Sequence, residues 1–256
     1  LKTLYLIGIG TGNPEHLTIQ ALNILKKVDV ILILDKDSKR QAELVRLRKD
    51  ILQKYLPEQR YKLVHVKIPE RKRGRELNLY KENVTFWRRQ KAEILANAIK
   101  KEIEEGQKAA LLIWGDPSLY DGHIEILEYI LHKGLAEFNY EIIPGITAMQ
   151  LLAARHRISL NNIAESILIT TGRNLKEIPP EGIKNVVVFL DNYLTYKNFR
   201  DSELHIYWGA YLGTKDEIII SGRIGDVVDE IIRLRTEARK KKGYIMETYI
   251  LRRDGE

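Results

Sequence analysis

The sequence predicts an α/β protein, mainly parallel in its first half and a mixed sheet in its second. Strand-type and helix-type runs alternate, the early strands are apolar on both faces, and glycine-bearing loops follow strand ends. Thr3–Ile9 is a first apolar run ending in glycine, and Leu17–Lys27 repeats apolar residues at helical spacing. Val30–Leu34 is a second strand ending in Asp35, Ser38–Tyr55 reads as a helix, and Tyr61–Val66 as a short strand. Over Tyr80–Glu105 one apolar stripe (Val84, Trp87, Ile94, Leu95, Ala98, Ile99, Ile103) predicts a long helix that Gly106 stops. Ala109–Trp114 is another continuous apolar strand. Beyond a helix over 146–155, strands are expected at Ser166–Thr170, Asn185–Leu190, Leu204–Leu212 and Glu217–Ser221. A helix over 223–238 and a last strand over 243–251 complete the chain. The later strands follow one another closely and alternate polar with apolar, which predicts hairpins. The boundary is expected near Tyr140–Gly145, giving domains over 1–142 and 143–256.

The 256 residues suit one large domain or two compact ones. With 44% hydrophobic and 30% charged residues, the chain is neither disordered nor fibrous. No apolar run reaches the ~18 residues that span a bilayer, and Leu1–Gly10 runs straight into a strand pattern, so no secretory leader is expected. Zero cysteines exclude disulfides, thiolate metal sites and cysteine nucleophiles. A cytoplasmic enzyme without a metal is the expectation. The formal charge of +7 would suit RNA, an anionic surface or a polyanionic small molecule. Its densest clusters are Arg71-Lys72-Arg73-Gly74-Arg75 and Arg239-Lys240-Lys241-Lys242, with no RNA-binding aromatic motif between them. The second reads as a helix end rich in cations; the first could form a lip around an acidic ligand.

Three loops could carry chemistry. Gly8-Ile9-Gly10-Thr11-Gly12-Asn13-Pro14 follows the first strand, where glycines allow close approach of the backbone to a ligand. A dinucleotide site, with Asp35 on the ribose, is disfavoured because Asn13 stands where the third glycine belongs and Pro14 follows it. Trp114-Gly115-Asp116-Pro117-Ser118-Leu119-Tyr120-Asp121 lies at the carboxyl end of a buried strand, with an ordinary turn as its plain alternative. Pro144-Gly145-Ile146-Thr147-Ala148 joins an apolar strand to a helix that Thr147 would cap.

Together these loops resemble the tetrapyrrole methylase superfamily, and the resemblance covers the whole chain. Ala153-Ala154-Arg155-His156-Arg157, Ile169-Thr170-Thr171-Gly172-Arg173, Tyr207-Trp208-Gly209-Ala210-Tyr211-Leu212-Gly213-Thr214 and Gly243-Tyr244-Ile245-Met246-Glu247-Thr248-Tyr249 are similar to one precorrin-modifying branch. The long helical segment between Asp35 and Ala109 is similar to that branch too.

The resemblance implies two α/β/α domains with S-adenosylmethionine folded in the cleft between them. It implies cofactor contacts at Gly8, Gly10 and Pro14 of the first loop, and at Trp114, Gly115, Asp116 and Leu119 of the second. Thr147, Ala148, Leu190 and Gly213 complete the implied set. Trp114 replaces a glycine common in the superfamily and Leu190 a methionine; the backbone of the one and the apolar volume of the other preserve the contacts. The implied reaction methylates ring carbon C-1 of precorrin-5 and releases the extruded acetyl group as acetate. Its polycarboxylate substrate gives the positive charge a partner, with Arg155, Arg157 and Arg173, and Arg71, Arg73 and Arg75, as candidate carboxylate binders. Tyr120, Asp121, His123, Glu165 and Asp191 are candidates for the acid–base work, and sequence does not choose among them. A homodimer that binds neither nucleic acid nor membrane is also implied. Rival readings are another tetrapyrrole or ribosomal RNA methyltransferase of the same fold, a nicotinamide oxidoreductase, and a basic RNA-binding protein.

Overall fold

The computed structural model describes residues 1–35, 39–58, 60–69 and 77–253. The basic cluster Arg71–Arg75, with its candidate carboxylate binders, lies outside the described residues. The chain divides into two compact units, Leu1–Ile146 and Thr147–Glu256.

In the first unit, five strands form one parallel sheet: β1 (Thr3–Gly8), β2 (Val30–Asp35), β3 (Lys62–Lys67), β4 (Lys108–Ile113) and β5 (Asn139–Ile143). Their order is β3-β2-β4-β1-β5, with Ile7 opposite Leu112 on one side and Ile143 on the other. Alternation along β1 explains the layers. Leu4 and Leu6 face a core built with α3 (Leu77–Glu102) and α4 (His123–His132). Tyr5 and Ile7 face the opposite core, built with α1 (Ile19–Leu25) and α2 (Lys39–Tyr55). Each fully buried Leu or Ile contributes about 1.5–3 kcal/mol, which is why both faces of β1 are apolar. The sequence patterns locate these elements to within a few residues. They pass over α4, whose ten residues follow directly on the second loop.

The second unit is also layered. Its sheet comprises β6 (Leu168–Thr171), β7 (Asn185–Phe189), β8 (Leu204–Ala210), β9 (Ile218–Arg223) and β10 (Glu247–Arg253), in the order β6-β7-β10-β8-β9. β6 and β7 are parallel; the other pairs are antiparallel, as the expected mixed sheet requires. On one face α5 (Ala148–His156) packs Leu151 and Leu152 on Val187 and Ile250. A short α6 (Gly172–Leu175) and the long α7 (Ile224–Lys242) contribute to the core on the other face. The Arg239–Lys242 run forms the last turn of α7 before Gly243, where cations offset the carbonyl end of the helix dipole. The last strand starts at Glu247 instead of 243 because Gly243, in left-handed conformation, is spent ending α7.

Candidate functional site: three loops at the carboxyl end of the parallel sheet

The strand order of the first unit brings the three loops together. β1 lies between β4 and β5 and all three run in the same direction, so their carboxyl ends, and the loops that follow them, are neighbours. Open α/β sheets bind ligands at such ends. Gly10 and Gly115 form a bridge between the first two loops: Gly115 N donates to Gly10 O at 2.8 Å, and Gly10 N returns a bond to Gly115 O at 3.3 Å. Both have positive φ, +74° and +70°, which an L side chain rarely adopts. The third loop is fastened by Asp116, whose Oδ2 accepts from Gly145 N at 2.8 Å. Its Oδ1 accepts from Ser118 N at 2.8 Å and from the Ser118 hydroxyl. Burial pushes the Asp116 carboxyl up, but these hydrogen bonds outweigh it and hold the group below the usual carboxylate range.

Glycine is required where the loops touch. A Cβ on Gly8 would lie 2.6 Å from Gly145 N and 2.8 Å from Gly115 O, and one on Gly145 would overlap the same carbonyl oxygen. The first loop then turns away: Asn13 Oδ1 accepts from Glu15 N at 3.0 Å, Pro14 opens a single tight turn, and α1 starts only at Ile19 under a Thr18 cap. No helix begins against this loop in the manner of a dinucleotide site. Asp35 is also displaced from it, because β4 separates β2 from β1; its carboxylate lies 3.5 Å from His65 Nδ1. The nicotinamide rival loses both of its supports.

Trp114 and Leu119 are half-buried at the two ends of the Asp116 turn. Thr147 caps α5, as its sequence context suggests: its hydroxyl accepts from Met149 N at 3.2 Å while Gln150 Oε1 accepts from Thr147 N at 2.9 Å. Ala148 is the first residue of that helix.

In the second unit, Leu190 is 56% exposed and has φ +55° immediately after β7. Left-handed backbone costs a leucine roughly 1–2 kcal/mol, and apolar exposure adds to that. The next residue fixes it. Asp191 is buried; its Oδ1 accepts from Tyr193 N and the Thr195 hydroxyl, and its Oδ2 from Thr195 N and the Tyr249 hydroxyl, at 2.7–3.0 Å. Arg235 donates to the Asp191 carbonyl and pairs with buried Glu247 at 2.7 Å. Asp191 is thus a structural anchor, with no lone pair left for acid–base work. Glu165 sits in an exposed loop on Asn162.

The candidate carboxylate binders are not gathered. Arg155 Nε is held by Glu217 at 2.6 Å, and the other Glu217 oxygen accepts from Gly213 N at 2.6 Å. Arg155 therefore braces the loop that carries Gly213, which an isolated reading of the Ala-Ala-Arg-His-Arg stretch does not show. Arg157 ends α5 in left-handed conformation, exposed. Arg173 lies on α6, its guanidinium 3.5 Å from the Tyr193 hydroxyl.

Beside the second loop is a polar cluster that sequence reasoning half found. Asp121 Oδ1 accepts from His123 N at 2.8 Å and lies 2.6 Å from His123 Nδ1. His123 Nε2 lies 2.7 Å from Nζ of buried Lys91, on α3. Arg48 of α2 donates to Leu112 O at 3.0 Å and to Leu44 O. Burial lowers Arg48 to about 10, against a smaller upward pull from Asp121. Both cations were detectable in the sequence: Lys91 interrupts the apolar stripe between Trp87 and Leu95, and Arg48 the one between Leu44 and Leu52.

Comparison with known proteins decides the family. The model of the Tetrapyrrole (Corrin/Porphyrin) Methylases matches residues 3–228. The chain belongs to the tetrapyrrole methylases. A precorrin-6A synthase [deacetylating] from Sinorhizobium sp is 43% identical over 256 residues, covering 100% of this chain and 97% of the relative. A cobalamin synthesis related protein from Corynebacterium diphtheriae superposes with a TM-score of 0.84 at 34% identity, covering 99% of each chain. A uroporphyrin-III C-methyl transferase from Thermus thermophilus, solved with S-adenosyl homocysteine, shares the fold at a TM-score of 0.55 and 19% identity, covering 98% of this chain and 97% of that one. In the first unit of this methylase, the glycine-bearing loops that the Asp116 carboxylate ties together at the carboxyl end of the parallel sheet present backbone that fits an adenosyl cofactor.

Proposed function

We propose that this tetrapyrrole methylase is a deacetylating precorrin-6A synthase, methylating C-1 of precorrin-5 with S-adenosylmethionine and releasing acetate. The observation that carries the reading is the full-length likeness to a relative of that name. The convergence of the Gly8, Asp116 and Gly145 loops at one end of the parallel sheet supports it. The cofactor supplies an electrophilic methyl group on a sulfonium. The chain's own work is to hold the macrocycle in line with it, and orientation of this kind contributes up to about 7–11 kcal/mol. On this reading Gly8, Gly10, Pro14, Gly115 and Asp116 shape the approach, Trp114, Leu119 and Leu190 give apolar contact, and Thr147, Ala148 and Gly213 give backbone contact. The tetrapyrrole carboxylates meet a chain of formal charge +7.

Among the described residues no helix is long and apolar enough to cross a membrane, and no group of side chains suits a metal. A cytoplasmic homodimer is part of the proposal and rests on the resemblance; light scattering tests its dimeric part. The decisive experiment is mass spectrometry of precorrin-5 incubated with the protein and S-adenosylmethionine. The expected product has lost acetyl and gained methyl, with one acetate and one adenosylhomocysteine formed per turnover. Methylation of a different tetrapyrrole, with precorrin-5 unchanged, would assign the chain to another branch.

A further inference from the structure

Release of the acetyl group needs a base to activate water, and the structure separates the three carboxylates among the sequence candidates. Asp191 has both carboxylate oxygens saturated inside the second unit, and Glu165 lies in an exposed loop. Asp121 differs from both. Its Oδ1 takes both hydrogen bonds from His123, and no hydrogen bond among the described residues reaches Oδ2. The burial gradient gives the cluster a direction: Lys91 is buried, the His123 side chain is 12% exposed, and the Asp121 side chain 23%.

We propose that Asp121 is the general base that activates the attacking water, with His123 and Lys91 as positioning residues behind it. This inference rests on the deacetylating function proposed above. Lys91 Nζ donates to His123 Nε2, so the imidazole carries its proton on Nδ1 and donates it to Asp121 Oδ1. Burial, then the charge of Lys91, hold His123 below its ordinary value, and this keeps the ring neutral. The carboxylate is thereby fixed through Oδ1, and Oδ2 takes no hydrogen bond from the described residues. Oδ2 takes a proton from water as the water oxygen bonds to the acetyl carbonyl carbon. The tetrahedral alkoxide collapses, the bond from C-1 to the acyl carbon breaks, and acetic acid leaves. The bond pair stays on the macrocycle and would form the new bond from C-1 to the methyl carbon as that carbon's bond to the sulfonium sulfur breaks, the sulfur keeping the electron pair. Asp121 returns its proton to solvent. Among the described residues, the charged groups facing the carboxylate are Lys91 from α3 and Arg48 from α2; both disfavour its protonation.

A plain alternative is that Asp121 only caps α4 through His123 N. Asp121→Asn separates the two, because the amide oxygen keeps the cap and cannot take the proton. Precorrin-5 turnover is followed by NMR of acetate and chromatography of adenosylhomocysteine. The expected result is a loss of about 100-fold or more in acetate release, unchanged affinity for adenosylhomocysteine, and a residual rate that climbs with hydroxide concentration. A variant within threefold of the parent, while the parent releases acetate, overturns the proposal. A parent that releases none overturns the function itself. If Asp121→Asn does not fold, His123→Gln decides. Removing its hydrogen bond lets the Asp121 carboxyl rise, so the acid limb of kcat moves to higher pH; an unmoved limb overturns the proposal.

Discussion

Asp116 shows how one side chain serves a backbone that has nothing else to hold it. Gly145 can carry no side chain at its position, so its N–H is fastened from outside, by Asp116 Oδ2. Asp116→Ala leaves that donor unpaired and is expected to cost about 1–3 kcal/mol of stability. Adenosylhomocysteine affinity is expected to fall tenfold to a hundredfold, as measured by calorimetry; unchanged affinity would reduce Asp116 to a turn residue. His123 makes a different prediction. Its folded-state value is below 6.5, so the unfolded chain binds the proton first as pH falls. Its contribution is complete above 6.5 and is lost as pH drops toward the folded value. Urea unfolding at pH 7.5 and 5.5 should therefore show an acid loss that is smaller in His123→Gln. An equal loss in both proteins would assign the acid sensitivity to a group other than His123. Asp121 is not that group: burial raises its carboxyl, but hydrogen bonds from His123 and the charge of Lys91 hold it below the usual carboxylate range, and its own contribution is lost only below that range.

Among the elements, α5 and the loop before β9 depend on each other through a single carboxylate. Glu217 holds Arg155 at the end of α5 with one oxygen and Gly213 N with the other. A half-exposed ion pair alone is worth under about 1 kcal/mol. Here its consequence is the placement of the Gly213 backbone. Arg155→Ala is expected to lower the melting temperature slightly, to weaken adenosylhomocysteine binding severalfold, and to leave KM for the tetrapyrrole unchanged. A raised KM with unaltered cofactor affinity would return Arg155 to the substrate. The loop after β7 follows the same logic: Asp191, Thr195 and Tyr249 hold a rigid base from which Leu190 projects in an unfavourable conformation.

At the scale of the whole molecule, charge is the remaining lever. A formal +7 chain meeting a macrocycle of many carboxylates gains association rate through its field, and salt screens that gain over about 10 Å at 0.1 M. kcat/KM for the tetrapyrrole should fall steadily from 20 to 300 mM salt while the adenosylhomocysteine dissociation constant stays nearly constant. A flat profile for both would leave the positive charge without a role in substrate capture.

The sequence by itself determined the layered α/β class, most element positions and the three chemistry-bearing loops. Apolar periodicity and glycine placement are local properties, written in neighbouring residues. It also carried the family resemblance, because Gly115-Asp116-Pro117 and Pro144-Gly145-Ile146-Thr147 are contiguous motifs. Strand order was not legible. Only the folded sheet sets β1 between β4 and β5, and so joins Gly10, Gly115 and Gly145 and removes Asp35 from the first loop. The roles of Asp121, Asp191 and Arg155 were likewise decided by tertiary structure. A carboxylate or guanidinium has the same chemistry wherever it stands in the chain. Whether it is a base, an anchor or a brace depends on which of its hydrogen-bonding sites are filled, and those partners lie up to 62 residues away.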